Sequence, residues 1–162
     1  MGRTALCPGT FDPVTNGHVD IIQRASRCFD AVVVGVLANP SKDPLFGLED
    51  RVAMLKEAVS DIAGVEVASF SGLLVEYAKA RGIGVVVKGL RGEGDFDFEL
   101  KMAQMNQHLT GVETFFLPTN PQWSFISSSL IKEVVRFGGD VSGLVPPFVQ
   151  DRLEERLAFG RE

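Results

Sequence analysis

The chain of 162 residues has few cysteines and no long apolar segment. Cys7 stands in an apolar run and Cys28 at helical spacing with Ile21 and Ala25, so we predict that both are small core residues. This use of cysteine fits a reduced, cytoplasmic setting. No segment approaches about 18 uninterrupted apolar residues, and the N-terminal region lacks a basic start followed by a long apolar stretch. We therefore expect neither a membrane span nor a signal peptide.

Basic residues are also fewer than acidic ones: the chain has 16 Lys and Arg against 21 Asp and Glu, which gives a net charge of −5. This balance argues against a broad basic surface for nucleic acid, although a local cluster of cations could bind a small anion such as phosphate. We find no internal repeat and no linker. With 45% apolar residues the chain can bury one substantial core, and we predict a single domain over residues 1–162.

Apolar runs typical of β-strands alternate with segments of helical periodicity. The predicted strands are Thr4 to Pro8, Ala31 to Ala38, Val65 to Ala68, Val85 to Lys88 and Thr114 to Leu117. The predicted buried helix faces are Ile21, Ala25 and Cys28; Leu48, Val52, Leu55 and Val59; Leu74, Tyr77 and Ala78; and Phe98, Met102, Met105 and Leu109.

The second of these runs, AVVVGVLA, is apolar on both faces, which is typical of a parallel sheet covered by helices on each side. We predict an α/β fold, a doubly wound Rossmann-like domain with a five-stranded parallel sheet. Two C-terminal helices are expected near 128–137 and 147–159. The last carries Val149, Leu153 and Leu157 on one face, which could pack on its own domain or on another subunit.

In such a sheet, ligands bind beyond the carboxyl ends of the strands, where the strand order changes direction. The stretch PGTFDPVTNGH, residues 8–18, follows the first strand there. Thr15 is a plausible N-cap, Gly17 lets a ligand approach the backbone, and free N–H groups of the first helical turn would bind an anion next to His18. Taken alone, the stretch could equally be a tight turn with a surface histidine.

Three other strand ends carry residues suited to phosphate. They are NPSK at 39–42, KGLR at 88–91 and WSFISSS at 123–129. A lysine in a loop is usually solvated and serines before a helix are usually caps, so each segment alone is weak evidence. Four strand ends with anion-binding side chains favour a shared phosphate site over coincidence.

The segment TNGH resembles the T/H-x-G-H motif of the nucleotidyltransferase superfamily, and FISSS at 125–129 resembles its serine-rich signature. Together with NPSK, KGLR and DFDFE in the same order, the resemblance spans essentially the whole chain and is to the phosphopantetheine adenylyltransferases of the bacterial coenzyme A pathway. It implies transfer of the adenylyl group of ATP to 4′-phosphopantetheine with Mg²⁺, giving dephospho-coenzyme A and pyrophosphate, in a homohexamer. The family's homohexamer is neither indicated nor opposed by the C-terminal helix.

The resemblance also implies site residues. Those expected around ATP are Thr10, Phe11, His18, Gly89, Leu90, Arg91, Glu99, Trp123, Ser124, Phe125, Ile126, Ser127, Ser128 and Ser129. Those expected around phosphopantetheine are Thr10, Lys42, Leu74 and Lys88. Those expected to be catalytic are His18, Thr10, Lys42 and Arg91. Some family members carry arginine where this chain has Lys88, and lysine lacks the planar fork for a bidentate phosphate contact.

A phosphate nucleophile is already anionic at neutral pH, so the expected reaction needs no protein base and no covalent intermediate. The enzyme would instead align two polyanions and neutralise their charge. Two alternatives stay open at this point. One is another nucleotidyltransferase, such as a nicotinate-mononucleotide adenylyltransferase or a cytidylyltransferase, and the other is a nucleotide-binding module without turnover. A dinucleotide-binding oxidoreductase is a weaker alternative, because no G-x-G-x-x-G motif follows the first predicted strand.

Overall fold

The computed structural model describes residues 2–39 and 43–158, and a parallel β-sheet forms its centre. The strands are β1 (Thr4–Gly9), β2 (Ala31–Leu37), β3 (Val65–Phe70), β4 (Val85–Leu90) and β5 (Glu113–Pro118). The helices are α1 (Asn16–Cys28), α2 (Leu48–Ala58), α3 (Leu74–Ala80), α4 (Glu93–Thr110), α5 (Ser128–Arg136) and α6 (Pro147–Ala158). The five predicted strands are confirmed, with ends that differ by one or two residues, and a helix lies between each successive pair as predicted.

The strand order is β3-β2-β1-β4-β5, and every pairing is parallel. β1 pairs with β2 from Thr4 opposite Ala31, and with β4 from Ala5 opposite Val85. The chain thus builds outward from β1 in one direction and then returns to build outward from β4 in the other. The predicted doubly wound fold is confirmed, and the order of strands reverses between β1 and β4.

The sheet has a core on each face because side chains alternate along its buried strands. Ala5 and Cys7 of β1 belong to the larger core, whereas Leu6 between them belongs to the smaller one. Helices α1, α2, α5 and α6 contribute to the larger core, and α3 to the smaller. Both faces of the central strands are therefore buried, as the continuous apolar run of β2 predicts.

Helix α6 packs on its own domain. Val149 and Leu153 are fully buried in the larger core, and Leu157 packs against it partly buried. The sequence left open whether this apolar face packs on its own domain or on another subunit. In the structure it packs on the chain's own core.

Two sequence predictions of burial are wrong. The α4 face is exposed, with 66% of Phe98, 42% of Met102, 54% of Met105 and 51% of Leu109 accessible. Apolar periodicity identifies a face that avoids water but not the surface that covers it, and the smaller core is filled by α3 and neighbouring loop residues. Cys28 is exposed as well, because it is the last residue of α1, beyond the buried turns of that helix.

Within residues 2–39 and 43–158, none of the helices combines the length and the apolarity that a membrane span requires. The sheet and its helices lie around the two cores described above. That residues 1–162 form one domain stays a prediction.

We predict that Leu153→Ala lowers the free energy of unfolding by about 2–5 kcal/mol, since it removes a fully buried side chain and leaves a cavity. Urea denaturation measures this change. The matched control is Leu73→Ala, because 62% of Leu73 is exposed, and it should change stability by less than about 1 kcal/mol. Equal effects of the two substitutions would contradict the placement of α6 against the core.

Candidate active site

A cavity of about 300 Å³ opens at the carboxyl ends of β1 and β4, where the strand order reverses. This is the place where open α/β sheets bind ligands. The sequence-predicted residues that line it are Phe11, His18, Lys88, Gly89, Arg91, Glu99, Trp123, Ile126, Ser127 and Ser128. Three of the four motif-bearing strand ends therefore meet in one cavity.

Other predicted residues do not line this cavity. They are Thr10, Leu90, Ser124, Phe125, Ser129 and Leu74. Leu74 packs against the smaller core, and the Thr10 carbonyl oxygen accepts a hydrogen bond from buried Arg51. Lys42 lies outside the described residues.

The turn after β1 has an unusual backbone. Phe11 is buried and has a φ of 50°, a value that bulky residues rarely adopt. Gly9 is needed beside it, since a Cβ at this position would lie 2.9 Å from the Phe11 ring. The ring also meets His18 edge to face, with centroids 4.9 Å apart. The turn therefore uses a strained residue to support the side of the imidazole.

Thr15 and His18 form a reciprocal cap at the start of α1. The Thr15 hydroxyl accepts from the His18 backbone N–H, and the Thr15 backbone N–H donates to His18 Nδ1 at 3.0 Å. Because Nδ1 accepts from an amide that can only donate, the neutral ring must carry its proton on Nε2. His18 thus has one N–H donor left for a ligand, and the N-cap predicted at Thr15 is confirmed.

Backbone amides of the first turn are less available than the sequence suggests. The Asn16 N–H donates to the Leu144 carbonyl oxygen, and the His18 N–H is taken by Thr15. The anion site predicted from free amides therefore depends more on side chains than on the start of α1.

His18 is held in its neutral form. Burial, and secondly the positive charge of Arg91, lower the pKa of His18 to about 4. At neutral pH the side chain is an uncharged hydrogen-bond donor.

Both cations of the cavity are paired with carboxylates of α4. Lys88 Nζ lies 2.9 Å from Glu99 Oε2. Arg91 forms a two-pronged contact with Asp95, from Nε at 2.9 Å and from its terminal nitrogen Nη2 at 3.1 Å, while Nη1 donates to the Ile126 carbonyl oxygen. The Arg91 guanidinium holds the pKa of Asp95 below its usual value. The cations are thus oriented before any phosphate binds.

The serine-rich segment begins α5 and borders the cavity. Ser127 is the N-cap, and its hydroxyl accepts from the Leu130 N–H at 3.1 Å. The Ser128 hydroxyl donates to the Pro13 carbonyl oxygen at 2.7 Å, which ties α5 to the turn after β1. These two hydroxyls therefore have structural partners.

Sequence reasoning missed several lining residues. They are Cys7, Pro8, Ile21, Ile22, Val87, Asp95 and Thr119, whereas the sequence does predict a ligand beside Gly17 and an N-cap at Thr15. Thr119 follows β5 at its carboxyl end, a position that the fold rule could have identified. Burial raises the pKa of Cys7 to about 12, so its thiol is a packing residue of the cavity wall.

We predict that His18 keeps its Nε2–H form in solution and titrates near pH 4. Since its ordinary pKa is 6.5, the unfolded chain binds this proton first as the pH falls, and the group's contribution to stability is lost between about pH 6.5 and pH 4. Imidazole ¹⁵N NMR, assigned with His18→Ala and His108→Ala, measures both the proton position and the titration. A His18 titration near pH 6.5 would contradict the buried, neutral ring.

Comparisons with known proteins identify the family of the chain. Residues 6–134 match the family model described as cytidylyltransferase-like. A phosphopantetheine adenylyltransferase from Streptomyces coelicolor is 56% identical over 155 residues, covering 96% of this chain and 98% of that protein. One from Frankia casuarinae is 56% identical over 160 residues, covering 96% of this chain and 99% of that protein.

Solved structures support the fold alone. A candidate nicotinate-nucleotide adenylyltransferase from Vibrio parahaemolyticus superposes with a TM-score of 0.70 at 18% identity, covering 97% of this chain and 95% of that one. A lipopolysaccharide core biosynthesis protein from Thermoplasma volcanium gives 0.53 at 17% identity, covering 74% of this chain and 98% of that one. By its family model and its near full-length relatives, the chain belongs to the phosphopantetheine adenylyltransferase family of nucleotidyltransferases.

Proposed function

We propose that this chain transfers the adenylyl group of ATP to 4′-phosphopantetheine in the cavity between β1 and β4, in the pathway to coenzyme A. A phosphate oxygen of phosphopantetheine attacks the α-phosphorus of ATP. The bond from that phosphorus to the bridging oxygen breaks, and pyrophosphate leaves with dephospho-coenzyme A as the other product. The observation that carries the proposal is a neutral imidazole, with its N–H on Nε2, in one cavity with Lys88 and Arg91.

His18 acts in this proposal as a hydrogen-bond donor to an oxygen of the α-phosphate. The nucleophile has no proton to lose at neutral pH, so the reaction does not require a general base. A low pKa also suits a group that must keep its neutral form beside polyanions. Preorganised donors of this kind act chiefly on the transition state, where charge redistributes.

The ATP half of the site comprises the two strand ends and the start of α5. The residues proposed to surround ATP are Thr10, Phe11, His18, Gly89, Leu90, Arg91, Glu99 and Trp123 to Ser129. Arg91 is supported by its fixed orientation against Asp95, which leaves further N–H groups of the guanidinium for phosphate. Gly89 is supported by its place in the cavity lining, and glycine is needed there for packing, since a Cβ would lie 3.0 Å from the Ile21 side chain.

The phosphopantetheine half is proposed to comprise Thr10, Lys42, Leu74 and Lys88. Lys88 sits at the end of β4 and borders the cavity, where its ammonium already contacts Glu99. An incoming phosphate would join or replace that carboxylate as the counterion. Because the lysine ammonium is a point charge, it contacts phosphate without the two-pronged geometry that an arginine guanidinium would provide.

Mg²⁺ is proposed to enter with ATP. Within the described ranges no three acidic, histidine or cysteine side chains cluster to bind a metal ion. The two carboxylates that line the cavity, Asp95 and Glu99, are each in contact with a cation. These residues fit a metal ion held mainly by the triphosphate, which is the usual state of Mg²⁺ at nucleotide sites. When bound, the ion supplies charge neutralisation on the leaving pyrophosphate.

Self-association, as the homohexamer of the family, is proposed for the exposed face of α4. Phe98, Met102, Met105 and Leu109 form a continuous apolar stripe, and Phe115 of the edge strand β5 is 52% exposed. Such patches are uncommon on monomeric proteins and typical of interfaces. A cytoplasmic location is also proposed, supported by two free cysteines.

We predict that the purified protein releases pyrophosphate when ATP and 4′-phosphopantetheine are both present. A coupled pyrophosphate assay with each substrate alone, and with nicotinate mononucleotide or CTP in their place, measures this requirement. Equal turnover with nicotinate mononucleotide would favour the other adenylyltransferase, and nucleotide binding without turnover would favour a binding module.

We predict that His18→Ala lowers kcat by about 10²- to 10³-fold and changes ATP affinity by less than about tenfold, since the lost donor acts mainly in the transition state. Steady-state kinetics and calorimetry separate the two effects. The matched control is His108→Ala, which removes the other histidine from an exposed position and should leave kcat unchanged. Trapping of an adenylylated His18, or a defect confined to ATP binding, would contradict the proposed role.

A further inference from the structure

Asp12 is a buried carboxylate in the turn between β1 and α1, and it lies outside the cavity lining. Only 5% of the residue is exposed. Its Oδ1 accepts from the Phe46 N–H at 2.9 Å and its Oδ2 from the Leu45 N–H at 2.9 Å. One carboxylate thus holds the segment that leads into α2 against the turn that carries Thr10 and Phe11.

Lys132 of α5 completes this contact. Its Nζ lies 2.8 Å from Asp12 Oδ2, and its side chain is 22% exposed. Burial opposes the charged form of Asp12, but Lys132 and the two amides hold the pKa of this carboxyl below its usual value. The Asp12 carboxyl is therefore ionised at neutral pH, and an ionised carboxylate is a stronger acceptor than a neutral one.

The ion pair connects three segments, two of which carry proposed substrate ligands among the described residues. The turn after β1 carries Thr10 and Phe11, and α5 carries Ser127 and Ser128 at its first residues. The third segment, with Leu45 and Phe46, follows the NPSK motif closely along the chain. Asp12 and Lys132 are 120 positions apart in sequence, so their contact, together with the Ser128–Pro13 hydrogen bond, joins distant parts of the chain beside the cavity.

We propose that Lys132 is a positioning residue for adenylyl transfer, which through Asp12 sets the distance between α5 and the two loops that face it. This inference rests on the function proposed above. Lys132 does not itself line the cavity, so it acts through Asp12 and not on a phosphate. Reacting groups displaced by about 1 Å can lose on the order of 10²-fold in rate, whereas ground-state binding tolerates such shifts better.

The experiment compares Lys132→Met, which keeps the length of the side chain without its charge, with the wild-type enzyme. We expect kcat to fall about ten- to a hundredfold. ATP affinity should change less than about threefold, because Arg91 and Gly89 keep their places. The quenching of Trp123 reports this affinity directly, since it is the only tryptophan in the chain and lines the cavity.

Four further variants separate positioning from an effect on stability alone. Lys132→Arg keeps the charge and should recover most of the lost kcat. Lys56→Met removes an exposed helical lysine and should leave kcat and affinity unchanged. Val149→Ala lowers stability from a fully buried site on α6 and should leave kcat unchanged well below its melting temperature. Lys132→Gln provides the same comparison if the methionine variant does not fold.

The pair itself is tested by Asp12→Asn combined with Lys132→Met. If Lys132 acts through Asp12, the double variant should be no slower than the slower single variant. A wild-type kcat in Lys132→Met, or purely additive losses, overturns the inference while pyrophosphate release by the wild-type enzyme still stands. No release by the wild-type enzyme with both substrates overturns the proposed function instead.

Discussion

Two buried charged side chains, Arg51 and Asp12, hold the loops from which the site is built. The Arg51 guanidinium donates to the carbonyl oxygens of Thr10 at 2.7 Å, Leu37 at 3.0 Å and Phe46 at 3.1 Å. Asp12 takes amide N–H groups from the same segment that Arg51 holds by a carbonyl. Loops usually satisfy their backbone with water and stay mobile. Here the side chains of Arg51 and Asp12 take the place of that water and hold the loops beside the cavity.

The hydrogen bonding and the pKa of His18 depend on the turn after β1 that Arg51 holds. Phe11 reaches the imidazole from a turn whose neighbouring carbonyl is held by Arg51, and Thr15 fixes the proton on Nε2. Contacts with Phe11 and Thr15 contribute to the burial that lowers the pKa of His18 to about 4. The neutral donor and the held loops thus belong to one arrangement, while Lys88 and Arg91 add two basic side chains to the cavity lining.

The sheet and the place of the site could be predicted from the sequence because both depend on local patterns. Apolar runs identify the strands, and a fold rule then places the ends of β1 and β4 together. The ion pair that connects the loops could not be predicted in this way. Asp12 is visible only as a turn residue, and Lys132 has the spacing of any lysine on an amphipathic helix. Their 120-residue separation gives no local signal, since the contact exists only after the sheet has formed.

Helix α4 shows a second limit of sequence reasoning. Its apolar residues recur at helical spacing, as the sequence indicates, but they do not pack against the chain's own core. One side of this helix carries the exposed stripe of Phe98, Met102, Met105 and Leu109. The same helix carries Glu99 and Asp95, which orient Lys88 and Arg91 in the cavity. Any surface that packs against the stripe would therefore also restrain the helix whose carboxylates orient both cations. One helix thus carries both the exposed apolar stripe and the two carboxylates that contact the cations of the cavity.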